Sequence, residues 1–121
     1  FQLPKATDEE KQIRKAAVQA ATRYAIEVPA RVMEVSYSCF DLIAEMVKKG
    51  NPNSVTDAAV GALCIRTAVM GAHLNVQINT VGFADKDFVN AVMHKCQVIA
   101  DNTQLRESEI LAATQNIINK A

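Results

Sequence analysis

Apolar residues in this 121-residue chain recur every three or four positions, the spacing that places them on one face of an α-helix. No stretch alternates between apolar and polar residues over more than a few positions, as a half-buried β-strand would. Segments containing proline or glycine divide the pattern into four such stretches. The sequence therefore predicts an all-α fold, a bundle of about four long helices.

The first predicted helix begins after Thr7 and ends or kinks near Glu27. Thr7 and Glu10 have the spacing of a capping box, in which each side chain accepts a hydrogen bond from the other residue's amide. Pro29 has no amide hydrogen to donate, so the helix must end or kink before it. The predicted buried face consists of Ile13, Ala17, Ala20 and Tyr24.

A second helix is predicted from Pro29, which suits a first helical turn, to Lys49, with Gly50 as its C-cap. Apolar residues at spacings of three and four form its predicted buried face: Val32, Val35, Cys39, Leu42 and Met46. Charged residues mark the face predicted to be exposed: Arg31, Glu34, Asp41, Glu45 and Lys48.

The third predicted helix runs from Val55 to about Asn79, with Ser54 and Asp57 as its cap. It is apolar nearly all round, which is typical of a central, buried helix. One strip of this helix contains only small side chains and would allow another helix to approach closely. The strip consists of Gly61, Cys64, Ala68, Gly71 and Ala72.

The fourth predicted helix is capped by Asp85 and runs to about Asn119. A helix of that length spans about 52 Å, longer than a compact domain of this size. Either it bends near residues 101–103, or its far end packs against something outside this chain, such as a partner subunit. We therefore expect a bundle that is completed by dimerisation.

The charge balance argues against generic nucleic-acid binding, because 13 Lys and Arg residues equal 13 Asp and Glu residues. No apolar run approaches the roughly 20 residues of a membrane span, and no signal peptide is visible, so no membrane partner is expected. Cys39, Cys64 and Cys96 lack the paired spacing of a zinc site. They are interpreted as small buried residues in a reducing compartment, and a cytoplasmic location is expected.

Few residues have the spacing of a catalytic or metal site. His73 and His94 lack a partner at ligand spacing, so they are interpreted as ordinary polar helix positions and no metal site is predicted. Asn75 and Asn79, four residues apart, can act together. Asp57 faces the same side but stands about 27 Å from Asn75. Alternatively, Asp57 caps its own helix and the asparagines satisfy a buried helix end.

Five short motifs carry a family resemblance: Leu3-Pro4-Lys5, Thr7-Asp8-Glu9-Glu10, Val28-Pro29, Gly50-Asn51 followed by residues 54–57, and residues 71–79. Their order and spacing resemble those of the formimidoyltetrahydrofolate cyclodeaminase family, the ammonia-releasing part of formiminotransferase-cyclodeaminase. Methenyltetrahydrofolate cyclohydrolases belong to the same family. Each motif alone is weak, but together they extend over nearly the whole chain.

The resemblance implies an all-helical fold, an obligate dimer, and a folate pocket in a cleft at or near the subunit interface. It implies that residues 1–121 form the C-terminal portion of a single domain, and that the family's catalytic acidic residue precedes Phe1. The implied substrate-binding residues are Lys5, for the glutamate tail of folate, together with Asp57, Asn75 and Asn79. Lys48 and Lys49 are weaker candidates for the tail.

The implied reaction converts 5-formimidoyltetrahydrofolate to 5,10-methenyltetrahydrofolate with release of ammonia. The tetrahydrofolate derivative is the substrate, and no cofactor is expected. The alternatives are a methenyltetrahydrofolate cyclohydrolase of the same family and a non-catalytic helical scaffold. No residue separates the first two, and the chain alone is expected to be incomplete and inactive.

Overall fold

A computed structural model describes all residues, 1–121, and contains α-helices, one short 3₁₀ turn at Pro52–Ser54, and no strand. The all-α prediction is therefore confirmed. The four helices pack as a bundle: α1 (Asp8–Ser38), α2 (Phe40–Lys49), α3 (Val55–Thr80) and α4 (Lys86–Lys120).

The first helix continues through Pro29 instead of ending there, so the predicted second helix beginning at Pro29 is wrong. Proline removes one hydrogen bond from a helix, a penalty of about 3 kcal/mol that tertiary contacts can offset. Ile26, Ala30 and Met33 are buried on both sides of Pro29 and hold this part of α1 in the core. The packing therefore keeps the helix intact where local sequence preference would end it.

Only Cys39 separates α1 from α2, and its amide donates to the carbonyl oxygens of Ser36 and Tyr37. The inward-facing positions nevertheless keep spacings of four and three across this interruption. Because this spacing is unbroken, α1 and α2 form one layer against the rest of the bundle. The inward-facing positions are Ile26, Ala30, Met33, Tyr37, Phe40, Ala44 and Val47.

The two faces predicted to be buried on these helices are instead exposed in the chain. They comprise Ile13, Ala17, Ala20, Tyr24, Val32, Val35, Cys39, Leu42 and Met46. Both α1 and α2 carry apolar residues on two faces, and the other face packs against α3 and α4. Periodicity identifies both faces as candidates but does not show which of them meets a neighbouring helix.

The prediction of a central third helix is confirmed, because α3 contacts α1, α2 and α4. Only one of its faces is buried, and the opposite face, with Val60, Leu63, Leu74 and Ile78, is exposed.

The small-residue strip of α3 packs against another helix at only part of its length. A Cβ built on Gly61 would lie 2.8 Å from the Cδ1 atom of Ile43 in α2, so the two helices approach closely there. Ala72 is also buried, whereas Cys64, Ala68 and Gly71 are exposed. Within this chain, the prediction of a continuously packed strip is therefore wrong.

The segment Pro52–Thr80 is long and apolar enough to cross a membrane by length and composition, with a mean hydropathy of 1.3 over 18 residues. The core helix of a helical bundle passes the same test. Here α3 packs against α1 and α4, which both carry many charged residues. Length and composition are therefore weak evidence for a membrane span.

The fourth helix runs without interruption through residues 101–103, and its far end packs within this chain. Ile110 and Ile117 contact a second core cluster around Phe40, Val47 and Val55. Part of this end is therefore covered within the chain, whereas Leu105 and Ile118 are exposed.

Two of the three predicted N-caps are confirmed, and Gly50 is the C-cap of α2 as predicted. The Glu10 amide donates to Thr7 Oγ1 at 3.1 Å and the Thr7 amide donates to Glu10 Oε2 at 3.1 Å. The Phe88 amide donates to Asp85 Oδ1 at 3.0 Å. The predicted cap at Ser54 is wrong, since its side chain makes no capping bond and the 3₁₀ turn leads into α3 instead.

The cysteines are all free, but only Cys96 is buried as expected. Burial raises the pKa of the Cys96 thiol, so this group stays protonated at neutral pH. Cys39 and Cys64 are exposed, because they lie on the faces of α1–α2 and α3 that no other helix of the chain covers.

Gly50→Ala is expected to lower the free energy of unfolding by about 1–3 kcal/mol, the usual range for overpacking. A Cβ at this position would overlap the backbone carbonyl oxygen of Met46, so the end of α2 would have to move. Gly71→Ala is the matched control: its Cβ meets open space, and alanine gains up to about 1 kcal/mol of helix propensity. Urea denaturation of both variants checks this, and equal midpoints would contradict it.

Candidate functional site

A groove of about 550 Å³ lies between α1 and α3. It brings together the Val28-Pro29 motif of α1 and the two asparagines of α3, Asn75 and Asn79, which are far apart in the sequence. We call it the main groove because it contains these motif residues; the groove between α2 and α4 is larger, at about 730 Å³. Its walls are formed by Tyr24, Ala25, Val28, Pro29, Val32, Ala68, Ala72, Asn75 and Asn79.

A second groove of about 480 Å³ extends the main groove toward the N-terminus of the chain. The two grooves share Ala25 and Asn79 and therefore meet at these residues. Along α1 they cover residues 17–32, about 22 Å at 1.5 Å per residue. The site is thus elongated. The extension is lined by Phe1, Leu3, Ala17, Val18, Ala21, Thr22, Ala25 and Asn79.

The asparagine side chains supply the neutral hydrogen-bonding groups at the centre of this site. Asn79 Nδ2 donates to the backbone oxygen of Asn75 at 2.8 Å, which holds the Asn79 amide and leaves its Oδ1 as an acceptor. The Asn75 side chain is exposed and makes no hydrogen bond within the chain. The Asn79 bond is exposed and Asn75 makes none, so the interpretation that both asparagines satisfy a buried helix end is wrong.

The main groove and its extension contain no aspartate, glutamate, histidine, lysine or arginine side chain. Tyr24 is the single ionisable side chain that lines them. The site can therefore bind a ligand through shape, apolar contact and neutral hydrogen bonds. It has no carboxylate of its own to transfer a proton.

The other predicted site residues lie outside the grooves. Asp57 is exposed in the first turn of α3, and the predicted separation from Asn75 holds because both residues lie on one continuous helix. Lys5 is exposed in the N-terminal segment, two residues after Leu3 of the extension. Lys48 lines a separate groove between α2 and α4, together with Arg106.

Groups with clearly shifted pKa values also lie away from the main groove. Hydrogen bonds from Lys95 and Arg31 hold the pKa of Glu34 below its ordinary value, at the contact between α1 and α4. This contact stabilises the fold above the unfolded-state pKa of the carboxyl group and loses its effect as the pH falls through the folded-state pKa. The contact of Glu34 with Lys95 has a structural role, since no residue of α4 lines either groove.

The histidines take no part in the site. His73 is buried in α3, and its Nε2 makes no hydrogen bond, whereas His94 is exposed on α4. No group of three or more His, Cys, Asp or Glu side chains is placed to hold a metal ion.

Comparison with known proteins shows the family. A model of the formiminotransferase-cyclodeaminase family matches residues 1–98, which include both grooves. The chain is 31% identical over 103 residues, 85% of its length, to formimidoyltransferase-cyclodeaminase of Dictyostelium discoideum. It is 28% identical over 115 residues, 95% of its length, to the protein of that name from Rattus norvegicus.

A third relative, methenyltetrahydrofolate cyclohydrolase of Methylorubrum extorquens, is 39% identical over 88 residues, 73% of this chain. The matches cover 19% of the Dictyostelium protein, 21% of the rat protein and 42% of the cyclohydrolase. The chain thus spans less than half the length of each of these curated relatives.

Proposed function

This chain belongs to the formiminotransferase-cyclodeaminase family, and we propose that its main groove binds a tetrahydrofolate substrate in one-carbon metabolism. The observation that carries the proposal is that Val28-Pro29, Asn75 and Asn79 line one elongated groove. The resemblance identified these residues from motifs in two separate parts of the chain. Their common location is what a shared ligand requires.

The shape and chemistry of the groove suit a folate. A folate is a long molecule with a flat fused heterocycle, a benzoyl ring and a glutamate tail. The apolar walls would cover the rings, and the amides of Asn75 and Asn79 would bond to polar atoms at their edges. Neutral amides place no competing charge beside the cationic methenyl group. Lys5, beyond the extension, would attract the carboxylates of the tail.

The reaction we propose is the cyclodeaminase step. With the formimidoyl group of 5-formimidoyltetrahydrofolate protonated as an amidinium, N10 attacks the formimidoyl carbon carried by N5. The proton on N10 then passes to the formimidoyl nitrogen, which now carries three hydrogens. The bond from that carbon to this nitrogen then breaks, and ammonia leaves the 5,10-methenyl cation. Because both reacting atoms belong to one molecule, holding them in a reactive geometry supplies much of the rate enhancement. The groove would supply this geometry, and no cofactor is needed.

We propose that a second copy of the chain covers the exposed apolar faces of α1–α2 and α3 and contributes Asp57 to substrate binding. Apolar side chains are exposed on α1–α2 and on α3, which is typical of a surface that binds another protein: Val35, Leu42, Met46, Val60, Leu63, Leu74 and Ile78. Asp57 cannot reach the main groove of its own chain, because about five helical turns separate it from Asn75.

We also propose a cytoplasmic location, since the three free cysteines fit a reducing compartment.

The cyclohydrolase reaction is a second candidate, favoured by the 39% identity to the Methylorubrum protein. In that reaction water adds to the methenyl carbon and the ring opens to a formyl group. Both substrates should be supplied to the protein produced from its complete reading frame. Ammonia from 5-formimidoyltetrahydrofolate would identify a cyclodeaminase. Loss of 5,10-methenyltetrahydrofolate without any ammonia-releasing activity would identify a cyclohydrolase.

Asn79→Ala is expected to weaken binding of 5-formyltetrahydrofolate about threefold to tenfold, the value of one neutral hydrogen bond. The free energy of unfolding should change by less than about 1 kcal/mol, because Asn79 is only partly buried. Isothermal titration calorimetry and urea denaturation measure the two quantities. Asn90→Ala, an exposed position on α4 outside both grooves, is the control. Unchanged binding with a large loss of stability would show that Asn79 is structural.

A further inference from the structure

Tyr24 differs from every other aromatic residue of the chain in its contacts. Tyr37 packs edge-on against Phe40, and Phe83 packs against Phe88. Phe1 lies under the guanidinium of Arg14. The Tyr24 ring has no aromatic or cationic neighbour. Tyr24 lines the main groove, and 69% of the residue is exposed. Of six aromatic rings, it alone is without such a partner.

The adjacent cation is held away from this ring. Arg23 lies over Phe88 at 4.1 Å, on the side of α1 that faces α4, and its Nε bonds to Glu27 Oε1 at 2.8 Å. The charges nearest to Tyr24 in the sequence are therefore paired with each other. The face of the Tyr24 ring is left with no internal partner.

The residues around Tyr24 leave room for a flat group. Ala25, Ala68 and Ala72 line the same groove, and none has a side chain longer than a methyl group. Tyr24 stands on the α1 side, and Asn75 and Asn79 stand on the α3 side. A planar ring in this space would have an aromatic face beside it and amides at its edge.

We infer that the Tyr24 ring stacks on the ligand and selects the cationic 5,10-methenyl form of the folate over neutral forms. This inference rests on the proposed folate site. An aromatic face carries negative charge density and attracts a cation above it. The groove contains no charged side chain, so the ring is the group there that distinguishes a cation from a neutral molecule of the same shape. The methenyl cation is the product of the cyclodeaminase reaction and the substrate of the cyclohydrolase reaction, so the inference applies to both.

The test compares 5,10-methenyltetrahydrofolate with neutral-ring 5-formyltetrahydrofolate as probes, in mildly acidic buffer, where the methenyl form persists. The wild-type chain should bind the methenyl form more tightly. Tyr24→Leu should weaken methenyl binding about tenfold, and formyl binding clearly less, because only the cation loses its electrostatic partner. Tyr24→Phe should keep most of the preference, since the ring remains.

Three other outcomes would each contradict the inference. Equal losses for both probes in Tyr24→Leu would reduce Tyr24 to a general apolar contact. A loss in Tyr24→Phe as large as in Tyr24→Leu would assign the effect to the hydroxyl group. No binding of either probe by the wild-type chain would overturn the folate site itself. Val81→Ala, an exposed position outside the grooves, is the control, and thermal melting verifies that each variant is folded.

Discussion

Phe40→Ala is expected to lower the free energy of unfolding by about 3–5 kcal/mol, whereas Leu42→Ala, two positions along α2, should change it by less than about 0.5 kcal/mol. Phe40 is 0% exposed and lies in the core cluster with Val47, Val55 and Ala62. Removing its ring leaves a cavity that rigid neighbouring helices cannot close. Leu42 is 65% exposed and loses little burial on truncation.

The comparison tests the most consequential disagreement between the sequence pattern and the structure, because the pattern placed Leu42 on the buried face. Urea denaturation of the two variants beside the wild type measures the difference. If Leu42→Ala is as destabilising as Phe40→Ala, the outer face of α2 is covered in solution. Repeating the measurement at several protein concentrations would then show whether a second copy covers it, since only the stability of an oligomer depends on concentration.

Arg66→Met is expected to destabilise the chain by about 3 kcal/mol, at the lower end of the range for breaking a buried ion pair. Arg66 Nη1 lies 2.9 Å from Glu107 Oε1 and joins α3 to α4. The Glu107 side chain is only 6% exposed, and its Oε2 has no hydrogen-bond partner. Without the guanidinium, this carboxylate would be an unpaired charge in the core. The Arg66 side chain is 47% exposed, so water compensates part of the loss.

A double variant separates the unpaired charge from the lost packing. Arg66→Met combined with Glu107→Leu should regain most of the stability, because apolar groups can replace a buried ion pair at little net change. Thermal unfolding of the single and double variants gives the comparison. A double variant less stable than Arg66→Met would mean that Glu107 stabilises the fold through contacts other than its charge.

Some parts of the candidate site could be predicted from residue spacing. Asn75 and Asn79 are four positions apart on one helix, so their proximity follows from helix geometry. The distance that keeps Asp57 out of their groove follows in the same way. Tyr24 could not be found, because its spacing on α1 is that of a core residue. Only the packing of α1 against α3 shows that its ring faces an open groove.

The helices are encoded mainly by interactions between near neighbours in the chain. The caps at Thr7 and Asp85 and the apolar repeats depend on residues within one or two helical turns, so they can be read without the fold. The continuation through Pro29 and the choice of inward face depend on residues far away in the sequence. α1 has two apolar faces, and only the face with Ile26, Ala30 and Met33 packs against α3 and α4. Burial is a property of the assembled helices, which is why periodicity alone could not assign it.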